Sequence, residues 1–88
     1  ARVFMILSDQ TRLKIIELLS RQKELCVTEL ALILDVSMPA ISHHLRPMKD
    51  LGIVMDHRMG QEICYMLTAS PVTKQILSSL SLFKKVAK

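Results

Sequence analysis

At 88 residues the chain is long enough for one small domain and too short for several, so a multidomain enzyme is excluded. Half of the residues are hydrophobic, 23% are charged and only two are glycine, which suits a packed core and excludes a disordered, collagen-like or low-complexity chain. Two cysteines are too few for a disulfide scaffold, no apolar run reaches bilayer length, and twelve Lys and Arg against eight Asp and Glu give a net charge of +4, a bias toward polyanions.

No repeat or linker interrupts the sequence, so residues 1–88 read as one domain, and with no secretory signal at the start a reducing cytoplasm is the expected compartment. The opening Arg2 to Leu7 is a short apolar piece, helical and belonging to a longer native start. Ser8 or Asp9 offers an N-cap for a helix ending near Arg21. In it Leu13, Ile16 and Leu19, flanked by Ile15 and Leu18, recur at helical spacing, with Glu17 and Arg21 as an i,i+4 pair.

Leu25, Cys26 and Val27 read as a very short strand, and Thr28 as the N-cap of a short helix through Glu29, Leu30, Ile33 and Leu34. Asp35 and Val36 make a turn, Ser37 caps again, and Met38 to Leu51 forms a longer helix stopped by Gly52, which can take positive φ. Residues 28–51 are therefore a helix-turn-helix. Its inward positions are Leu30, Leu34, Val36, Ile41, Leu45 and Met48, and Pro39, Ser42, His43, Arg46 and Lys49 fall on the opposite, polar face.

From Gly52 onward the period changes to 2. Ile53, Met55 and His57 alternate with Val54, Asp56 and Arg58, and beyond Gly60 the residues Ile63, Tyr65 and Leu67 alternate with Glu62, Cys64 and Met66. Residues 53–67 are thus a β-hairpin with Gly60 at its tip. The last helix, 70–86, opens with Ser70 as cap and Pro71 in the first turn, and repeats Val72, Ile76, Leu80 and Phe83 along one stripe that needs cover, as a homodimer would supply.

A helix-turn-helix followed by a hairpin is a winged helix, mainly α with a small β wing, and it suits double-stranded DNA. The second helix fits the major groove and the hairpin tip reaches the adjacent backbone or minor groove. Arg46 can donate to guanine in bidentate fashion, Ser42 and His43 can bond base edges or phosphates, and Ser37 can hold a phosphate at the helix N-terminus beside Met38 and Pro39. Lys49 shares that face, and Arg58 and Gln61 lie near the wing tip. A solvated polar face is the bland alternative for the same residues.

The segments SDQTRLKIIELL, ELCVTEL and VSMPAISHHLRPMKDLGIV, with GQEICY in the wing, resemble the ArsR/SmtB family of winged-helix transcriptional repressors over nearly the whole chain. The resemblance implies a homodimer joined through first and last helices, with Val72, Ile76, Leu80 and Phe83 at the interface. It also implies binding to operator DNA and release by an inducer: a metal, a metalloid, an oxidant or another small molecule. The departures are specific. The family's thiolate site uses C-V-C, whereas this chain has Cys26, Val27 and then Thr28. The family's other frequent site uses Asp and His on the last helix, whereas residues 70–88 contain no Asp, Glu, His or Cys. Neither usual metal site is expected to work, and no cofactor is implied.

Cys26 precedes the helix-turn-helix and Cys64 lies in the wing strand that pairs with it in a winged helix. Alternation turns Leu25, Val27, Ile63 and Tyr65 inward, which leaves Cys26 and Cys64 on the outer face within reach of a disulfide if the register allows. Two readings stay open: ordinary packing residues, or a thiol switch for oxidant, persulfide or soft metal. The methionines, Met38, Met48, Met55, Met59 and Met66 among them, read as core filler. His43, His44 and His57 read as DNA-facing or packing residues, since no carboxylate or thiol lies at metal-binding spacing from them. Pro47 inside the second helix removes a backbone bond to the His43 carbonyl, and nothing in the sequence accounts for it. No nucleophile with a positioned base and no phosphate-cradling loop is present, so an enzyme is not expected. The rival functions are a winged helix used only for protein interaction and a thiol redox protein. The polar, basic face argues against the first and the missing C-x-x-C against the second.

Overall fold

The computed structural model describes residue 6 and residues 8–87, with side chains described up to residue 80. Its elements in order are α1 (Gln10–Arg21), β1 (Leu25–Cys26), α2 (Val27–Leu34), α3 (Met38–Asp50), β2 (Val54–Met59), β3 (Glu62–Leu67) and α4 (Pro71–Ala87). The sheet is antiparallel in the order β1-β3-β2, so the second wing strand is central and the short strand before the helix-turn-helix covers its free edge. This is the winged helix-turn-helix that the periodicities predict. Of the opening piece 2–7, only Ile6 lies among the described residues, and it is buried in the core.

Each boundary has a local cause. Asp9 caps α1 by accepting from the Arg12 N–H at 3.0 Å. Asp35 takes the left-handed conformation, φ 56°, between α2 and α3. The end of α3 is a Schellman turn: Gly52 at φ 78° donates to Lys49 O at 3.0 Å and Ile53 donates to Met48 O at 2.9 Å. Ile53 and Met48 are both fully buried, which supplies the hydrophobic contact that accompanies this motif. Ser70 caps α4 by accepting from the Thr73 N–H at 3.3 Å.

One cap differs from the sequence expectation. Thr28 lies inside α2, and the cap position belongs to Cys26, whose N–H donates to Glu29 Oε1 at 2.9 Å. The Glu29 carboxylate reaches back to that orphan donor, which lets the helix begin one residue after the strand. The Thr28 hydroxyl instead donates to the Glu62 carboxylate of the wing.

The core gathers Ile15, Ile16 and Leu19 from α1, Leu30 from α2, Ile41, Leu45 and Met48 from α3, with Ile53, Val54, Tyr65 and Ile76 closing it. Leu34 and Val36 are partly buried against it, and Ile33 and Leu32 face out, 54% and 85% exposed. Ile76 is 2% exposed within the single chain, with Val72 and Leu80 partly buried against the same core. That corrects one premise: the chain's own core fully covers Ile76 of the described α4 stripe and covers Val72 and Leu80 in part, so the stripe is not wholly bare in the single chain. Phe83 lies outside the residues whose side chains are described.

Candidate nucleic-acid interface

Helix α3 owes its two faces to its sequence. Ile41, Leu45 and Met48 recur at spacings of four and three and are fully buried, which turns Pro39, Ser42, His43, Arg46 and Lys49 outward, all exposed. Ser37 accepts from the Ala40 N–H at 3.2 Å, and Pro39 sits in the first turn, where its missing donor costs nothing. Met38 is exposed beside them. The helix N-terminus, with Ala40 capped by Ser37 and no donor at Pro39, leaves the Met38 N–H and the positive end of the helix dipole next to a polar stripe.

The wing stands beside this face. Met59 and Glu62 are partners across the two-residue loop Gly60–Gln61, with Gly60 at φ 63° as a tight hairpin requires, and Arg58 and Gln61 are exposed at the tip. All nine residues expected at a DNA surface are thus exposed on one helix face or one hairpin tip. Lys49 is also engaged: its Nζ lies 2.9 Å from Asp56 Oδ2 on β2. That pairing raises the Lys49 pKa through the hydrogen bond and then the carboxylate charge. Tyr65, the cross-strand partner of Asp56, has its pKa raised by burial first and then by Asp56, while Lys49 and Arg46 act in the opposite sense. Arg46, Lys49, Asp56 and Tyr65 therefore share one junction between helix and wing. The sequence reading missed Asp56. Its signal was available, since Asp56 stands two residues after buried Val54 and so shares the face turned to α3.

The remaining histidines separate by environment. His44 is turned toward α1, its Nδ1 3.7 Å from Asp9 Oδ2, and Arg12 Nε donates to the His44 carbonyl at 3.3 Å. This contact lies one residue beyond the carbonyl that Pro47 deprives of its helical donor, so α1 braces α3 where proline weakens it. His57 Nε2 comes within 2.9 Å of Glu24 Oε1, a close polar contact rather than an aligned hydrogen bond. Among the described residues no group of three or more His, Cys, Asp or Glu is placed to hold a metal ion.

Cys26 and Cys64 are cross-strand partners with Cα atoms 3.7 Å apart, joined by a disulfide. The register allows the pair, but its expected outer-face position is overturned. Cys64 is 0% exposed and Cys26 is buried, whereas Ile63, expected inward, is 40% exposed. Burial in β3 follows the cover of β1 more than strand face: Cys64 and Tyr65, the residues paired with β1, are both buried, and Ile63, one step nearer the tip, lies beyond that cover. A half-buried hydroxyl cluster missed by the sequence reading, Thr68 and Ser70 around the fully buried Thr73, binds the carbonyls of Gly52 and Ile53 and ties the wing's exit to α4.

Residues 9–56 match the family model described as "Bacterial regulatory protein, arsR family". The chain is 45% identical over 64 residues to the cadmium resistance transcriptional regulatory protein CadC of Listeria innocua, covering 73% of this chain and 54% of that protein. It is 43% identical over 67 residues to the arsenical resistance operon repressor of Escherichia coli, covering 76% and 57%. The chain spans about half the length of the first curated relatives it matches. Among solved structures, HlyU from Vibrio cholerae superposes with a TM-score of 0.79 at 28% identity, covering 93% of this chain and 88% of that one.

Proposed function

This chain belongs to the arsR family of bacterial regulatory proteins, and from that membership we propose that it is a DNA-binding transcriptional repressor acting as a homodimer. The observation that carries this reading is the outward face of α3. Ser42, His43 and Arg46 lie exposed behind a capped helix N-terminus, with Arg58 and Gln61 at the adjacent wing tip. Arg46 reads bases, Ser42 and His43 bond base edges or phosphates, Ser37, Met38 and Pro39 bring the helix end to the backbone, and Arg58 and Gln61 follow the neighbouring groove.

The dimer is supported by family membership and by Val72 and Leu80, which the single chain covers only in part. Two recognition helices would stand roughly 34 Å apart and engage a partly palindromic operator. A mobility-shift titration against the upstream region of the chain's own gene tests the reading, and affinity no greater than for random duplex would refute it. Sedimentation at micromolar concentration tests the dimer, with a monomer as the refuting result.

The inducer acts, in this proposal, at Cys26 and Cys64. Oxidation of the thiol pair loses two protons and two electrons to the oxidant and ties the wing's central strand to the residue that caps α2. Both cysteines are buried, Cys64 at 0% and Cys26 at 9% exposed, so attack begins at the less enclosed Cys26. Operator affinity should be lower in oxidised than in reduced protein, and Cys64→Ser should remove the difference. Equal affinities would make both cysteines packing residues.

A further inference from the structure

The outward face of α3 carries two cations that the structure treats differently. Lys49 is held at 2.9 Å by Asp56, whereas Arg46, one turn earlier, is exposed and has no carboxylate partner among the described ion pairs. The Asp56 position is fixed by the fold. The Schellman turn at Gly52 folds β2 back along α3, Val54 anchors the strand in the core, and buried Tyr65 backs Asp56 from the neighbouring strand. Asp56 is itself half-buried, its side chain 26% exposed.

A cation paired at hydrogen-bond distance presents little net field beyond a Debye length. For Lys49 to reach a phosphate it must leave Asp56, exchanging one anion for another. The departing cation strands a half-buried carboxylate at a surface that now faces a polyanion, and an unpaired, partly desolvated charge is costly. Both consequences oppose the contact. Resting on the DNA-binding reading above, we infer that Asp56 is a positioning residue for that interface, one that withholds Lys49 from the DNA backbone and thereby lowers sequence-independent affinity.

Arg46, without such a partner, remains available to base edges. The arrangement trims the electrostatic part of binding, which is common to all sequences, and leaves the base-reading part intact. It thus favours discrimination over raw affinity.

The test is a salt series of DNA affinities for operator and random duplexes. The near-isosteric Asp56→Asn should tighten binding several-fold on both duplexes alike and steepen the log–log salt dependence by about one unit, as one added phosphate contact does. Lys49→Gln added to that variant should return the slope to the native value, and Lys49→Gln alone should leave it nearly unchanged. Asp56→Ser provides a second route should the amide find a partner of its own. Weaker binding or an unchanged slope in both Asp56 variants would overturn the inference. So would a slope shallower by one unit in Lys49→Gln alone, since Lys49 would then already be on a phosphate. Native protein with no affinity for either duplex at low salt would overturn the DNA reading and this inference with it, whereas native binding unaltered by the Asp56 variants would overturn this inference alone.

Discussion

Along α3 exposure follows the helical period, with Ile41, Leu45 and Met48 buried and Ser42, His43, Arg46 and Lys49 outward, whereas along β3 the consecutive residues Cys64 and Tyr65, the two paired with β1, are both buried whichever face they take, and Glu62 and Ile63 beyond that cover are exposed. The helix lies on a single core, so one angular coordinate decides what each residue meets. The hairpin leaves the core as it extends, so position along the strand competes with strand face. Val54 and Asp56 share a face, yet the first is 2% exposed and the second half-buried. The comparison teaches that period alone suffices where an element stays on the core and fails where it departs.

The largest expected effect tests that difference directly. Leu45→Ala should cost about 2–5 kcal/mol in urea denaturation, since it opens a cavity among fully buried neighbours. Ile63→Ala, at a position that alternation also assigns to the inside, should cost less than about 1 kcal/mol, because Ile63 already meets water. A cost above 2 kcal/mol at Ile63 would break the comparison and restore strand face as the rule for the wing.

Next in size is the link between the two regions. The disulfide closes a sequence separation of 38 residues, and its reduction should lower stability by about 2–4 kcal/mol, since the unfolded chain regains the freedom of that loop. Urea midpoints with and without reductant check this. No change would mean that strand pairing alone holds the wing to β1.

The helix-turn-helix was legible almost residue by residue, including the Gly52 stop and the Ser37 cap, because caps and apolar spacing are local signals. The wing was legible as a hairpin through its change of period and Gly60, while its burial was not, since that depends on how far the strands extend past the core. Thr28 was misread for a related reason: a side-chain carboxylate three residues ahead, Glu29, served the Cys26 N–H and let a residue with a poor capping side chain take the cap. The Lys49–Asp56 pair crosses the turn between the two regions, and neither period alone reveals it.

A middle-sized effect separates the regions by what they read. Arg46→Ala should weaken operator binding by about 1–3 kcal/mol while leaving random duplex nearly unaffected, and Arg58→Ala should weaken both alike and flatten the salt dependence. Equal losses on both duplexes for Arg46→Ala would remove it from base readout and make helix and wing equivalent as phosphate binders.

The smallest effect concerns how α1 secures α3. The carboxylate of Asp9 accepts from the Arg12 N–H, and that hydrogen bond is the largest cause of its lowered pKa. Partial burial opposes it, and the charges of His44 and Arg12 add to it. A carboxylate held below its unfolded pKa stabilises the fold above that value and loses its contribution as pH falls through the folded value. Asp9→Ala should therefore cost about 1 kcal/mol near neutral pH, the usual worth of an N-cap, with the gap to native protein closing below about pH 4. Because Asp9 also lies 3.7 Å from His44 Nδ1, the variant should loosen the brace beside Pro47 as well. Hydrogen exchange at amides of α3 reads that second consequence separately from global stability. Faster exchange around Met48 at unchanged rates in β3 would place the brace on the helix side of the comparison, whereas equal acceleration in both would show that α1 supports helix and wing as one unit.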